Sequence, residues 1–323
     1  MKILIATPLY PPDIGGPAQY AKNLETVWRQ QGHEVIVAYF GKFLRWPTGL
    51  RHLIYFFSLL PKAARADFIL ALDTFSVGFP VVATAKLLGK KVIIRTGGDF
   101  LWEWYVERTG NPVLLRNFYL TSLAKLNLKE KIIFYLSRWT VKHCHKLIFS
   151  TNWQRQIWLE PYHLDLSKTA IIENYYGPKL PAGVPREQVF LVAGRNLKLK
   201  NLDILKQTDF SFEIGQWLPK VLAEKIKNCY ALIVPSLSEI SPNLILQAVQ
   251  YNKPFILSAE NGLRDRLGEV GLYIDPLNVE DIENKIMWLT DQNNYQRQSQ
   301  KVANFSFAHS WSEIADEFLA VIK

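Results

Sequence analysis

A regular alternation of short apolar runs with longer amphipathic segments constrains the fold of this chain more than any other feature. Runs such as Lys2–Thr7, Glu34–Tyr39 and Lys91–Arg95 are rich in isoleucine and valine and have the length of buried strands. Segments with helical periodicity, among them residues 17–31 and 78–88, lie between such runs. Strands that alternate with helices in this way predict an α/β fold built on parallel sheets.

The alternation occurs twice, on either side of a segment with the composition of a linker. That segment, Tyr175–Pro185, is rich in proline and glycine. A chain of 323 residues is also long enough to bury two cores. We therefore predict two doubly wound, Rossmann-like domains that face each other across a cleft, over residues 1–178 and 186–305. Ligands are expected at the carboxyl ends of the strands.

Cysteine content and the length of the apolar runs bear on the compartment. The two cysteines, Cys144 and Cys229, are too few for a disulfide framework and favour a reducing environment. The first residues lack the apolar region of a signal peptide, and no apolar run reaches the roughly 18 residues needed to span a bilayer. The sequence therefore predicts a cytoplasmic protein.

Charge is concentrated in the first half of the chain. Residues 1–150 contain 20 lysines and arginines against 9 acidic residues, whereas residues 189–323 contain 14 against 16. Basic and aromatic residues interleave over Lys42–Phe57, a pattern suited to peripheral binding at an anionic membrane surface, here the inner face of the membrane. A core helix with solvated basic flanks explains the same pattern. Nucleic-acid binding is disfavoured because no nucleic-acid motif accompanies the charge.

The stretch Pro235–Ala248 is the most informative local pattern. An apolar run precedes it, and Ser241 and Pro242 have the order of an N-cap and a first helical residue. The N-terminus of such a helix carries unpaired N–H groups and roughly half a positive charge, so it favours a phosphate. Glu239 precedes the helix and Gln247 lies about 7.5 Å along its axis from Pro242, at about 1.5 Å per residue. The pattern predicts two polar groups around a gap of the size of a diphosphate.

Seven short motifs give the chain a resemblance to a known family over nearly its whole length. They are Pro11–Pro17, Gly32–Val35, Cys144–Asn152, Ile172–Asn174, Gly194–Asn201, Pro235–Glu239 and Phe305–Trp311. Their residues and their order resemble those of the family-four retaining glycosyltransferases, which have the GT-B fold. Each motif is short, and their specificity comes from their common order.

The resemblance implies an activity and a division of labour between the domains. A sugar would pass from a nucleotide-diphosphate sugar, bound mainly by the second domain, to a glycan or lipid-linked acceptor, bound mainly by the first. The reaction would retain the anomeric configuration and would use no metal ion and no other cofactor. The resemblance also implies that the last helix, within residues 306–323, crosses back to the first domain.

The resemblance further implies roles for individual residues. Arg195 and Lys200 would clamp the diphosphate and stabilise the departing nucleotide, and Glu239 would bond hydroxyls of the donor sugar. Asp99 does not match the family pattern, but as the nearest polar residue at the end of its strand it could bind a sugar hydroxyl or act as a base, and it completes the predicted catalytic set. The predicted donor-binding residues are Gly15, Gly16, Ser241, Pro242, Asn243, Leu244 and Gln247. Plainer alternatives are surface basic residues for the clamp, a tight turn at the two glycines and a turn-capping role for Asp99.

The sequence departs from the family pattern in three places. Gln247 replaces the second acid of a paired-glutamate motif and so loses charge-assisted acceptors. Asp99 lies near the end of a strand where the family usually has a histidine. The segment between Asn201 and Leu218 is short, so the predicted donor domain is abridged. Gln247 and the short segment support an alternative function, a weakly active or inactive homologue that serves as a binding or assembly subunit. The presence of Arg195, Lys200 and Glu239 opposes it.

Overall fold

The computed structural model describes residues 1–13, 15–185 and 187–322. The chain divides into two compact units. Unit 1 comprises Met1–Leu101, Lys125–Asn174 and Ser310–Lys323, and unit 2 comprises Trp102–Ala124 and Tyr175–His309. Each unit is built on its own parallel sheet, so the prediction of two α/β domains with parallel sheets is confirmed.

Within the described residues, the sheet of unit 1 has six strands, all paired in parallel. The strands are β1 (Lys2–Thr7), β2 (Glu34–Tyr39), β3 (Phe68–Ala71), β4 (Lys91–Thr96), β5 (Lys146–Phe149) and β6 (Thr169–Ile171), and they lie in the order β2-β1-β3-β4-β5-β6. In β1, Ile3, Leu4, Ile5 and Ala6 are completely buried. Burial on both faces is what a parallel sheet covered by helices requires.

In the part of the chain that the structure describes, the sheet of unit 2 has five strands, also all parallel. They are β7 (Phe190–Ala193), β8 (Phe212–Gly215), β9 (Ala231–Val234), β10 (Phe255–Ser258) and β11 (Leu272–Ile274), in the order β11-β10-β9-β7-β8. The sheet carries a core on each face.

The helices begin and end at recognisable sequence signals. In chain order they are α1 (Gly16–Gln30), α2 (Leu50–Arg65), α3 (Gly78–Leu88), α4 (Phe100–Thr109), α5 (Leu115–Thr121), α6 (Leu128–His143), α7 (Asn152–Trp158), α8 (Pro219–Asn228), α9 (Asn243–Gln250), α10 (Arg264–Leu267), α11 (Val279–Thr290), α12 (Gln292–Asn304) and α13 (Trp311–Ile322). α6 begins with a capping box between Asn127 and Glu130. α3 ends at Gly89, whose left-handed backbone (φ 64°) suits glycine.

β8 is a strand that the sequence analysis does not predict. It lies in the short segment between Asn201 and Leu218, where 3₁₀ turns rather than an α-helix connect it to β7. Its residues are half-buried or exposed, because β8 is the edge strand of the sheet and pairs only with β7. A half-exposed edge strand has no continuous apolar run, and that run was the signal on which strand prediction depended.

Residues 102–124 belong to unit 2, although the predicted first domain includes them. This segment, which we call the insert, contains most of α4 and all of α5. Its own small core buries Trp102, Tyr105, Val106, Leu115 and Phe118. The Trp102 indole N–H also donates to the Val113 carbonyl at 2.8 Å. The insert attaches to residues more than 80 positions further along the chain, and no local sequence pattern reports such contacts.

α13 groups with unit 1, where it packs on α1. The Tyr20 and Trp311 rings lie 5.0 Å apart, and the Trp28 indole N–H donates to the Ala315 carbonyl at 3.3 Å. The sequence analysis places this helix within residues 306–323. The structure starts it at Trp311, with Ser310 as the cap that accepts from the Glu313 N–H at 3.2 Å. Residue 323, the end of the predicted helix segment, lies outside the described residues.

Candidate functional site

The carboxyl edge of the second sheet has the topology of a ligand site. β7 and β9 are neighbours in this sheet, although β8 and α8 separate them in the chain. The connections that leave these two strands therefore diverge and open a crevice between them. Residues 194–201 follow β7 and residues 235–242 follow β9; we call them the β7 loop and the β9 loop. They carry five of the predicted site residues, namely Arg195, Lys200, Glu239, Ser241 and Pro242.

Lys200 and Glu239, predicted from two separate motifs, form an ion pair between these loops. Lys200 Nζ lies 2.5 Å from Glu239 Oε1, and the Ser236 hydroxyl donates to the same oxygen at 2.7 Å. The Glu239 side chain is 12% exposed and that of Lys200 is 28% exposed. Partial burial strengthens such charge-assisted bonds, so the two charges are held together in a defined geometry.

Hydrogen bonds on both sides of Lys200 fix the shape of the β7 loop. The Leu237 N–H donates to the Leu199 carbonyl at 3.0 Å. Asn201 has a left-handed backbone (φ 55°), a region that asparagine adopts more readily than most residues. Its Nδ2 donates to the carbonyl of Pro235 at 3.1 Å and to that of Pro276 at 2.6 Å. Lys200 therefore leaves a loop that is anchored to the rest of the carboxyl edge.

Arg195 lies in the same loop but is exposed. It lies two residues after the end of β7, at the carboxyl edge of the sheet. An exposed guanidinium at this edge can form two parallel bonds to a phosphate.

The start of α9 differs by one residue from the prediction. Pro242, not Ser241, is the N-cap residue, and no side chain caps the helix. The Pro242 carbonyl accepts from the N–H groups of Ile245 and Leu246, at 3.0 and 3.3 Å. The first N–H groups of a helix, here those of Asn243 and Leu244, have no partner inside the helix. A helix start that no described side chain caps offers such backbone donors to an anion.

Gln247 lies one turn into α9 and is half-buried. The helix turns its apolar side to the unit 2 core through Ile245, Leu246, Ala248 and Val249, all of which are buried. Gln247 is thus on the boundary between this buried face and the more exposed one.

The remaining predicted site residues belong to unit 1. Gly15 is the N-cap residue of α1, with extended backbone, and a β-carbon on it would lie 2.9 Å from Leu9 Cδ1. Gly16 is the first residue of that helix. Asp99 follows β4 and is 1% exposed; its Oδ2 accepts from the Trp158 indole N–H at 2.8 Å. A catalytic role for Asp99 and a donor-binding role for the glycines stay predictions.

Sequence reasoning missed several residues at the carboxyl edge. The Glu107 carboxylate, on the insert, accepts from the Leu199 N–H at 3.1 Å. The Ser238 hydroxyl accepts from the Leu115 N–H at 2.9 Å. Only Ser236 and Ser238 had a sequence signal, since they lie in the loop after a buried strand.

A second ion pair lies beside the first. Arg116 Nε, on the insert, is 2.6 Å from Glu260 Oε2 in the loop after β10. Burial raises the pKa of the Glu260 carboxyl, and the positive charge of Arg116 acts in the opposite direction. The Glu260 carbonyl accepts from the Glu239 N–H at 2.8 Å. This second pair is therefore coupled to the backbone of Glu239.

A distinct surface lies on α2 in unit 1. Leu50, Leu53 and Phe57 share one face of this helix and are 44%, 52% and 59% exposed. Trp46 precedes the helix and is 41% exposed. The buried residues of α2 are Tyr55, Leu59 and Ala63. We call the four exposed residues the α2 apolar stripe. A search of the described residues finds no helix with the length and hydrophobicity to cross a bilayer.

A family model matches the part of the chain that carries these loops. Residues 178–292 match the family model described as "Glycosyl transferases group 1". The match contains the β7 loop, the β9 loop and α9. A comparison with curated protein sequences gives no match.

Solved structures with the same architecture cover the whole chain. HepE from Anabaena, in complex with UDP, superposes with a TM-score of 0.67 at 13% identity over 100% of this chain and 99% of that chain. Sucrose-phosphate synthase from Thermosynechococcus elongatus gives a TM-score of 0.68 at 14% identity over 99% and 98%. WaaG, a glycosyltransferase of lipopolysaccharide biosynthesis, gives 0.67 at 11% identity over 99% and 99%.

The fold is therefore GT-B, and the predicted resemblance to GT-B glycosyltransferases is confirmed. Residues 178–292 correspond to the glycosyl transferases group 1 domain.

Proposed function

We propose that the protein is a retaining glycosyltransferase that moves a sugar from a nucleotide-diphosphate sugar to a glycan or lipid-linked acceptor, without a metal ion. The observation that supports this proposal most strongly is the Lys200–Glu239 pair. It lies where the connections from β7 and β9 diverge, in the part of the chain that matches the glycosyltransferase family model. HepE, which shares the fold, was crystallised with UDP and with UDP-glucose, which favours a uridine nucleotide as the first probe.

The donor diphosphate is proposed to bind between the β7 loop and the N-terminus of α9. Arg195 and Lys200 supply positive charge to it, and the N–H groups of Asn243 and Leu244 supply donors. The diphosphate would compete with Glu239 for Lys200, and the released carboxylate would then accept hydrogen bonds from hydroxyls of the donor sugar.

The proposed reaction needs no protein nucleophile. The bond between the anomeric carbon and the phosphate oxygen breaks, and its electron pair stays on the nucleoside diphosphate. The acceptor hydroxyl attacks from the face that the nucleotide leaves, and its proton passes to the departing phosphate. Arg195 and Lys200 stabilise the charge that develops on this leaving group, an effect that is largest where water is excluded.

Asp99 is proposed to orient the acceptor or the reacting sugar from unit 1. Its bond to Trp158 holds the carboxylate in one orientation, as a positioned polar group requires. Replacement of Asp99 by asparagine is then expected to lower turnover much more than donor binding, because the group acts chiefly in the transition state. Turnover equal to that of the wild type would leave Asp99 with a structural role only.

A binding screen with nucleotide sugars tests the enzyme assignment. We expect at least one nucleotide sugar to raise the melting temperature and to bind in calorimetry. Lys200→Ala is expected to abolish that binding, and Lys206→Ala, an exposed lysine that pairs with Asp203, is expected to leave it unchanged. Product analysis by NMR would then show a retained anomeric configuration. An inverted product would contradict the retaining mechanism.

An inactive or weakly active homologue that acts as a binding or assembly subunit is the second candidate. Two observations favour it, namely Gln247 in place of an acid and the short connection from β7 to β8, which lacks an α-helix. Binding of a nucleotide sugar without transfer or hydrolysis would support this candidate. Turnover would exclude it.

Peripheral binding to an anionic membrane is part of the proposal. The α2 apolar stripe lies among the basic residues Lys42, Arg45 and Arg51, so one surface offers apolar side chains and positive charge together. A lipid-linked acceptor would then be met at the membrane by unit 1.

A further inference from the structure

The insert contacts three loops at the carboxyl edge of the second sheet. Glu107 reaches the β7 loop, Leu115 reaches the β9 loop and Arg116 reaches the loop after β10. Two of these contacts involve charged side chains, and such bonds are roughly twice as strong as bonds between neutral groups. A segment of 23 residues thus touches each strand end that surrounds the proposed donor site.

Two of these contacts are made next to one of the paired residues in the chain and not to the pair itself. Leu199, which donates to Glu107, directly precedes Lys200. Ser238, which accepts from Leu115, directly precedes Glu239. The insert therefore acts on the backbone from which the two charged side chains extend.

These contacts belong to a connected network. Both backbone polar groups of Leu199 are used, the N–H by Glu107 and the carbonyl by the Leu237 N–H. Leu237 is next to Ser238, which the insert also holds. On the other side, Arg116 pairs with Glu260, whose carbonyl accepts from the Glu239 N–H. Loss of one insert contact should therefore weaken hydrogen bonds between the loops themselves, such as those donated by the Leu237 and Glu239 N–H groups.

The negative charge of Glu107 also affects the stability of the β7 loop. The β7 loop carries Arg195, Lys198 and Lys200 within six residues, and like charges at this spacing repel each other. The half-buried Glu107 carboxylate accepts a backbone N–H inside this cationic loop and so stabilises its folded form before any anion is bound.

We propose that residues 102–124 are a clamp that fixes the geometry of the Lys200–Glu239 pair, with Glu107 and Arg116 as its positioning residues. This proposal rests on the proposed function only in its assumption that the pair binds a nucleotide-diphosphate donor. Neither residue is required to touch the donor. Both act through the β7 loop, the β9 loop and the loop after β10.

Amide hydrogen exchange tests the clamp without any ligand. We compare the wild type with Glu107→Ala, Arg116→Ala and Asn117→Ala, where Asn117 is an exposed neighbour on α5 and serves as the control. The reporters are the amides of Leu237 and Glu239, which donate to Leu199 and Glu260 and not to the insert. Loss of a charged contact is expected to speed their exchange about tenfold, with Glu107→Ala acting on Leu237 and Arg116→Ala on Glu239.

The control and a conservative variant separate positioning from general unfolding. Asn117→Ala should exchange like the wild type. Glu107→Gln keeps an acceptor oxygen but not the charge, so its exchange rate at Leu237 should lie between those of the wild type and Glu107→Ala. This variant keeps the test usable even if the alanine variant folds poorly. Wild-type exchange at both reporter amides in the two clamp variants would overturn the proposal.

UDP serves as the binding probe in a second arm of the test. Calorimetry with UDP should show about tenfold weaker binding for Glu107→Ala and for Arg116→Ala, and unchanged binding for Asn117→Ala. Unchanged UDP affinity in the two clamp variants would also count against the clamp. A wild type that does not bind UDP would argue against a uridine donor in the proposed function, and the exchange result would then decide the clamp by itself.

Discussion

At the scale of single residues, the proposed donor site depends on one lysine and one glutamate. Lys200 and Glu239 satisfy each other in the structure, with Ser236 as a third partner. An ion pair at a strand edge is in most proteins a modest contribution to stability. Here its position beside the N-terminus of α9 favours a binding role, since both groups have obvious partners in a sugar diphosphate.

Replacement of Lys200 or Arg195 by alanine should remove most transfer activity. Each change removes a positive charge from the proposed leaving-group site, and mutation of such a group commonly lowers turnover by about 100- to 1000-fold. The melting temperature should change little, because exposed or partly exposed charges contribute little to stability. A double variant, Arg195→Ala with Lys200→Ala, is the stronger test. Its turnover at the wild-type rate would contradict the proposal that these two residues bind the donor diphosphate.

Replacement of Gln247 by glutamate should tighten binding of the nucleotide sugar. A carboxylate offers charge-assisted acceptors to the ribose hydroxyls, roughly twice as strong as those of an amide. Calorimetry with the donor that the screen identifies measures the effect, and Gln250→Glu on the next turn of α9 is the matched control. Equal or weaker binding by the Gln247→Glu variant would mean that the ribose does not lie beside α9.

At the scale of secondary-structure elements, strand ends and helix starts carry the functional and the stabilising contacts alike. The connection from β3 to α3 is an example in unit 1. Asp73 Oδ1 accepts from the N–H groups of Phe75, Val77 and Gly78 at 3.1, 2.8 and 2.9 Å. One carboxylate oxygen thus satisfies three backbone donors at the start of a helix.

Replacement of Asp73 by alanine should destabilise the protein by about 2 kcal/mol, the upper end for loss of a helix cap. Urea unfolding measures this change. Leu87→Ala on the same helix is the control, because Leu87 is 67% exposed and its loss should have little effect. Asp73→Asn keeps an acceptor oxygen and should be less harmful than alanine. Equal stability of Asp73→Ala and the wild type would show that these three bonds add nothing net.

Local patterns predicted most elements, and their failures have identifiable causes. The runs that became β1, β2 and α3 were predicted with the bounds seen in the structure, because each has a full apolar run or a clear start and stop signal. β8 was missed because an edge strand is half-exposed. In the site, Lys200 and Glu239 were predicted from motifs, whereas Glu107 and Arg116 could not be, since only the folded chain brings them to the β7 loop and Glu260.

At the scale of the whole molecule, the excess of positive charge is concentrated in unit 1. The α2 apolar stripe is the part of this surface that best fits a membrane, because basic side chains precede and interleave with it. Other exposed apolar residues, such as Leu277 and Met287, lie in unit 2, where the sequence is close to neutral.

Binding to lipid vesicles should rise with the fraction of anionic lipid and fall with added salt. Attraction to such a surface is about 1 kcal/mol per basic residue and is screened beyond roughly 8–10 Å. Replacement of Arg45 and Arg51 by alanine should then weaken binding by about 30-fold, whereas Leu277→Ser with Met287→Ser should not change it. Equal binding to neutral and anionic vesicles would remove the electrostatic part of the proposal.

The packing of α13 on α1 has a consequence for the order in which the protein is made. Trp28 and Tyr20 on α1 meet their partners Ala315 and Trp311 only when the last helix has left the ribosome. All of residues 175–309, which belong to unit 2, are synthesised in between. At about 5–20 residues per second this takes on the order of 10 s. During that interval the side of α1 that packs on α13 stays exposed to solvent. Association of this apolar surface with a chaperone or with another nascent chain then competes with folding.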